Sequence, residues 1–262
     1  MIEEEFNPAD YPWVVEHTVK FSVQMTSARI NNFSDIYFGI AQDAFAQYLL
    51  YETTPECCEE ETEEGFEKHA TAVTHRDQAA VKTIVFAAMA CEAAIYDIAA
   101  IHLGDESALV LDKLDPIGKW LVAPQLICGK PLRSDGPAIN SLRTLFPARN
   151  ELVHAKSLSG SSLGDPQRFE KIIQAARKQE QKILSAVKPA YQAIVLLSLE
   201  LERLFGTASA SIPGFADLST SRSYEEASVE VKEVIRRCKE IDSNFAKSLT
   251  TTSCLASTTD QS

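Results

Sequence analysis

The stretch PAINSLRTLFPARNELVHAKS, residues 137–157, has apolar residues at the spacing of a helix, and the predicted helical fold is built around it. Its pattern predicts a helix, and Arg149, Asn150 and His154 fall within two turns of it. Asn150 and His154 are four residues apart, so their side chains lie on one helix face. Arg149 precedes the histidine by five residues and points about 140° away from it on a straight helix. The three polar side chains are therefore either solvated surface groups or a functional site.

Pro147 stands in the middle of this predicted helix. Inside a continuous helix its ring would clash with the carbonyl of Arg143 and kink the chain. If the helix instead restarts at Pro147, Arg149 and Asn150 lie in its first turn. Free backbone N–H groups and the positive end of the helix dipole favour phosphate at such a position.

The rest of the chain is dominated by helical patterns joined by short loops. We predict helices at 34–52, 77–102, 106–114, 115–129, 137–157, from about Pro166 to Phe205, and at 224–249. Gly104 is a predicted C-cap, and Asp115–Pro116 and Asp165–Pro166 are predicted helix starts. This pattern is typical of a mainly α protein that folds as an antiparallel helical bundle.

Four parts follow from this pattern. Residues 1–76 form an acidic N-terminal segment with a possible short strand at 14–25 and one helix, and residues 77–206 form the helical bundle. Residues 207–249 add a loop and a helix. The Ser/Thr-rich tail, 250–262, has no core pattern, and we expect it to be disordered.

Charge is distributed unevenly along the 262 residues. The net charge of −12 speaks against a general nucleic-acid binder. Residues 1–70 hold 15 acidic and 3 basic residues, whereas residues 141–190 hold 9 basic and 4 acidic ones. The segment around His154 therefore carries an excess of +5, which indicates either a solvated helix face or an anion-binding surface.

Several features indicate a cytoplasmic protein without a membrane span. The acidic N-terminus lacks the apolar segment of a secretory signal. The most apolar run, 84–101, contains Glu92 and Asp97, which favours a buried helix. The six cysteines show no zinc-ligand spacing, so we expect neither a metal nor another cofactor.

The polar residues of 147–157 form a coherent set for RNA cleavage. A histidine can take a proton from a ribose 2′-hydroxyl or give one to a leaving oxygen, and a guanidinium can hold a phosphate. An unpaired Glu92 in an apolar helix would be costly, so we expect it to pair with Arg149. Lys156 either contacts a phosphate or is solvated.

The segment LRTLFPARNELVHAKS, 142–157, resembles the signature helix of the HEPN superfamily, all-helical nucleotide-binding and ribonuclease domains. Their motif is an arginine, often followed by asparagine, three variable residues and a histidine, which matches Arg149, Asn150 and His154. The apolar helix 86–99 with its internal Glu92 is also similar, as is the connecting stretch 111–130. The resemblance covers about 80–205.

This resemblance implies a function. It implies a metal-independent endoribonuclease whose catalytic residues are Arg149, Asn150 and His154, with Glu92 and Lys156 in support. It further implies RNA as substrate, a homodimer with a composite site, a toxin–antitoxin or antiviral defence role, and an antitoxin or effector as partner. Since some members have lost activity, a non-catalytic dimerisation or scaffold module and a nucleotide-binding regulatory domain are the alternatives.

Overall fold

A computed structural model describes residues 33–52, 62–154, 166–206, 211–219 and 221–259 of the chain. Within these ranges the protein is mainly α, as predicted, with eight helices and no strand. The helices are α1 (Ser34–Glu52), α2 (Glu63–Leu103), α3 (Asp105–Leu111), α4 (Pro116–Cys128), α5 (Pro137–Val153), α6 (Pro166–Phe205), α7 (Arg222–Glu225) and α8 (Val229–Thr259). The strand predicted at 14–25 lies outside the described residues.

Helix α2 begins earlier than predicted. Thr62 is its N-cap, and its side chain accepts a hydrogen bond from the N–H of Gly65 at 3.1 Å. The boundary that we predicted between residues 76 and 77 therefore falls inside one continuous helix. The first turns of α2 are mostly exposed, so they carry no apolar period by which the sequence would have marked them. The helix ends at Gly104, whose φ of 86° suits glycine.

The start of α4 is set locally. Asp115 accepts hydrogen bonds from the N–H groups of Ile117 and Gly118, both at 3.0 Å, and Pro116 occupies the first helical position. Gly129 ends the helix with a φ of 73°. The prediction of a cap followed by proline is confirmed here.

Helix α1 packs into the same hydrophobic core as α2, α5, α6 and α8. The rings of Phe45 and Tyr191 stack with their centroids 4.4 Å apart. The buried Tyr191 hydroxyl donates to Gln42 Oε1 at 2.8 Å, and the Gln42 amide donates to the carbonyl of Ser223 at 3.0 Å. These contacts join α1, α6 and α7 in one packed unit.

The contacts between helices fix their relative directions. Helices α1 and α2 are antiparallel, because Tyr51 contacts His75 and Tyr37 contacts Phe86. Helices α2 and α6 run in the same direction. Arg76 pairs with Glu180 at 2.6 Å near their starts, and His102 lies against Phe205 at their ends.

Helix α5 is antiparallel to α6. Glu151 at the end of α5 pairs with Lys182, whereas Glu200, farther along α6, accepts from the N–H of Arg133 just before α5 begins. The end of α5 therefore lies beside the first half of α6, and this arrangement places the candidate site.

The C-terminal helix predicted at 224–249 is wrong in its extent. The structure divides it into α7 and α8, because Ser228 interrupts the helix and accepts from the N–H of Val231 at 3.4 Å as a cap. Helix α8 then continues to Thr259, whereas we expected disorder from residue 250 onward.

Helices α2 and α6 are long and apolar enough to span a membrane by length and composition. Their most apolar windows are 61% and 67% buried inside the protein. This burial is what core helices of a packed protein show, in line with the interpretation of 84–101 as a buried helix.

Candidate functional site

Helix α5 runs unbroken from Pro137 to Val153, in line with the single helix predicted over 137–157, so the alternative of a restart at Pro147 does not apply. Pro147 and Arg143 both lie on the exposed side of the helix. The carbonyl that loses its helical donor can bond to water there, so the local cost is small. Leu145 and Phe146 on the other side are buried and hold the helix against the core.

The unbroken helix changes where the polar residues lie. Arg149 and Asn150 occupy the last turns of α5, and His154 is the C-cap, whose N–H donates to the carbonyl of Asn150 at 3.0 Å. The negative end of the helix dipole lies here and does not attract phosphate. Any anion bound at this place must therefore be held by side chains. Residues 155–157, including Lys156, lie outside the described residues.

Arg149 pairs with Glu92, as predicted. Its Nη2 lies 2.6 Å from Glu92 Oε2, and the two side chains are only 22% and 31% exposed. Its Nη1 donates to Asn150 Oδ1 at 3.1 Å. Its Nε is buried and has no hydrogen-bond partner among the residues that the structure describes. The guanidinium therefore connects the middle of α2 to the side chain of Asn150.

The neighbour of Glu92 is not a reactive group. Cys91 is buried, and its burial, together with the negative charge of Glu92, raises the pKa of its thiol. A thiolate nucleophile is disfavoured there. The polar side chains at the end of α5 therefore remain the candidate reactive groups of this region.

Asn150 and His154 line one open cleft between α5 and α6, with a volume of about 670 Å³. Its other lining residues are Glu151 from α5 and Ala175, Lys178, Gln179 and Lys182 from α6. His154 is exposed, so its imidazole is accessible from solvent. Asn150 receives the Arg149 guanidinium through its oxygen, which leaves its amide N–H groups to donate to a ligand. Arg149 itself is not among the lining residues.

The sequence analysis did not identify Lys178 and Lys182. Lys182 pairs with Glu151 across the cleft, and Lys178 forms no ion pair within the described part of the chain. The excess of basic residues over 141–190 was a signal for them. What the sequence did not reveal is which residues of α6 lie beside the end of α5.

No group of three or more His, Cys, Asp or Glu side chains among the described residues is arranged to hold a metal ion. The polar groups that line the cleft are amides, lysines, one histidine and one glutamate. This set offers hydrogen-bond donors, positive charge and a proton carrier.

Comparison with protein-family models, with curated proteins and with solved structures found no match to the chain.

Proposed function

We propose that the chain is a metal-independent endoribonuclease of HEPN type with an antiparallel bundle fold, acting in the cytoplasm. One observation carries the proposal. A solvent-accessible histidine, His154, shares a cleft with two lysines and with an asparagine whose amide N–H groups have no partner among the described residues. The resemblance of 142–157 to the HEPN motif, which includes the same Asn150 and His154, is in line with it.

The proposed reaction is a transesterification followed by release. His154 accepts the proton of a ribose 2′-hydroxyl, and that oxygen attacks the adjacent phosphorus. The bond from phosphorus to the 5′-oxygen breaks, and this oxygen receives a proton from the protonated His154 of the second copy as it leaves. The products are a 2′,3′-cyclic phosphate and a 5′-hydroxyl. Lys178 and Lys182 offset the charge of the phosphate, and the Asn150 amide donates to one of its oxygens.

Arg149 acts as a positioning residue in this proposal. Glu92 holds its guanidinium, and the guanidinium holds the oxygen of Asn150. Because Asn150 would otherwise rotate freely on an exposed helix face, this chain of contacts keeps its amide directed at the cleft.

A homodimer completes the proposed site. One cleft holds a single histidine, whereas the reaction needs one group to accept a proton and one to donate it. We place the contact between the two copies at Val153, the exposed side chain beside His154, because a two-fold axis there would bring the two copies of His154 together. We place the protein in a toxin–antitoxin or defence system, with an antitoxin or effector as its regulator.

A non-catalytic dimerisation or scaffold module is the second candidate. The observation that favours it is the engagement of Arg149 by Glu92, since a guanidinium so paired stabilises the packing of α5 on α2 without touching a ligand.

The chemistry of the substrate tests the proposal. We expect cleavage of a single-stranded RNA and none of a matched oligonucleotide in which every ribose lacks the 2′-hydroxyl, because that hydroxyl is the nucleophile. Products should carry a 2′,3′-cyclic phosphate or the 3′-phosphate that forms when it hydrolyses. Equal cleavage of both oligonucleotides would contradict the mechanism, and cleavage of neither would favour the scaffold.

A further inference from the structure

The first half of α6 presents an exposed face beyond the cleft. Every side chain from Phe169 to Lys182 is exposed except that of Ile172. This part of α6 lies beside the end of α5 and extends past it. It therefore offers a surface continuous with the cleft that contains His154.

Three lysines form one stripe on this face. Lys171, Lys178 and Lys182 follow one another at intervals of seven and four residues, which places them within about 40° of one another around the helix axis. Lys178 and Lys182 line the cleft, and Lys171 continues the stripe away from it. The stripe is about 16 Å long, so it can contact more than one phosphate of a strand.

Of the acidic residues described near the stripe, Glu151 pairs with one of its lysines, and Glu180 and Glu170 contact other groups. Glu180 lies on the opposite side of α6 and pairs with Arg76 at 2.6 Å. Glu170 accepts from Gln174 at 3.3 Å, and Glu151 is the carboxylate with which Lys182 pairs. Lys171 and Lys178 therefore form no ion pair with any carboxylate of the described residues, and Lys182 is the one lysine of the stripe that does.

We propose that this lysine stripe, Lys171, Lys178 and Lys182, is a binding track for the phosphate backbone of single-stranded RNA. The inference rests on the proposed function, for which it names the substrate-binding surface. A chain with a net charge of −12 repels RNA at long range, so a concentrated local excess of lysine is what such binding needs. The stripe leads from the open surface to His154, which is the path that a strand takes to a site of cleavage.

The test uses the full chain with His154→Ala, so that bound RNA stays intact. Binding of a fluorescent single-stranded RNA of mixed sequence is measured by anisotropy from 50 to 200 mM salt. The test variant adds Lys171→Gln and Lys178→Gln. The matched control adds Lys82→Gln and Lys113→Gln, two exposed lysines outside the cleft. Both variants change the net charge equally, and thermal unfolding by circular dichroism verifies that both are folded.

We expect the test variant to bind at least about tenfold more weakly at low salt, since two charge-assisted contacts are lost. The slope of log affinity against log salt should fall by about 1.4, because each phosphate contact on a single strand contributes about 0.7. The control should bind like the parent chain. A polyglutamate competitor should displace the RNA far less well than unlabelled RNA does.

The outcomes separate the binding track from the proposed catalysis. If the native chain cleaves RNA while test and control variants bind it equally, the track is overturned and the proposed function stands. If binding depends on the two lysines but the native chain cleaves nothing, the track stands and the cleavage is overturned. If the parent chain does not bind RNA, both are overturned. Polyglutamate that competes as well as RNA would overturn the assignment of RNA as the ligand.

Discussion

The guanidinium of Arg149 donates to the carboxylate of Glu92 at 2.6 Å and joins the end of α5 to the middle of α2. The two residues are 57 positions apart, and both side chains are largely shielded from solvent. The same guanidinium bonds to Asn150, whose side chain lines the cleft. This pair therefore links the packing of two core helices to the geometry of the candidate site.

The first prediction concerns the energy of this pair. In a double-mutant cycle with Glu92→Gln and Arg149→Gln, we expect each single change to lower the free energy of unfolding by about 1–3 kcal/mol, because it leaves a partly buried charge unpaired. The double variant should lose less than the sum. The measurement is urea denaturation. The control is the exposed pair Lys68 and Glu64, whose removal should cost less than about 1 kcal/mol. Strict additivity at Glu92 and Arg149 would show that the two do not interact.

The second prediction separates positioning from direct contact. Arg149→Ala and Asn150→Ala should lower the kcat of RNA cleavage, and the double variant should be no worse than the more severe of the two, because Arg149 acts through Asn150. Steady-state cleavage rates provide the measurement. Multiplicative losses would instead assign Arg149 a contact of its own with the substrate.

The third prediction follows from a buried carboxyl group. Glu200 is 3% exposed, and burial raises its pKa above the ordinary value of 4.5, although the Arg133 N–H and the charge of Arg203 lower it. Both folded and unfolded chains hold the proton well below pH 4.5, so the carboxyl does not oppose folding there. Between pH 4.5 and the raised pKa, the Glu200 carboxyl is ionised in the unfolded chain but still protonated in the folded chain. The free energy of unfolding therefore falls as the pH rises across this range.

Glu200→Gln removes this loss. We expect the stability of Glu200→Gln relative to the native chain to increase as the pH rises from 4.5 to the raised pKa of the carboxyl group and to stay constant above it, as measured by thermal or urea unfolding. Glu202→Gln is the comparison variant on the same helix. Unlike Glu200, Glu202 accepts hydrogen bonds from the Ser198 hydroxyl and from the N–H of Phe215. A difference between Glu200→Gln and the native chain that is constant with pH would contradict the account of Glu200.

The fourth prediction concerns assembly. Light scattering at micromolar concentration should give the mass of a dimer, twice the 28.9 kDa of one chain. Val153→Asp should give a monomer, because it places a charge where the two copies meet. Leu126→Asp on α4, at a side chain that is 58% exposed, should remain dimeric. A monomeric native chain would contradict the composite site.

The helix boundaries that the sequence predicted are those with a local cause. Asp115 and Pro116 set the start of α4, and Gly104 sets the end of α2, through bonds and dihedral angles within a few residues. The start of α2 was missed because an exposed charged helix has no apolar period. The break at Ser228 was missed because helical periodicity continues on both sides of it.

Only part of the candidate site could be predicted from the sequence. Glu92 was expected to pair because a lone carboxylate in an apolar helix is costly, and Arg149 followed as its partner. Lys178 and Lys182 were not identified, because their proximity to His154 depends on how far α6 is shifted along α5, which the sequence pattern does not give. The unbroken course of α5 through Pro147 depends on the side of the helix that faces solvent, which periodicity alone did not settle.

The central claim is that His154 carries the proton in RNA cleavage, and it is tested by comparing two histidine variants. His154→Ala and His102→Ala each remove an exposed imidazole, but His102 lies outside the cleft, against Phe205. Each chain is incubated with labelled single-stranded RNA and a metal chelator, and the products are resolved on a denaturing gel. The account predicts that the native chain and His102→Ala release fragments ending in a 2′,3′-cyclic or 3′-phosphate, whereas His154→Ala releases none. Cleavage by His154→Ala at the native rate, or cleavage that stops when the chelator is added, would contradict it.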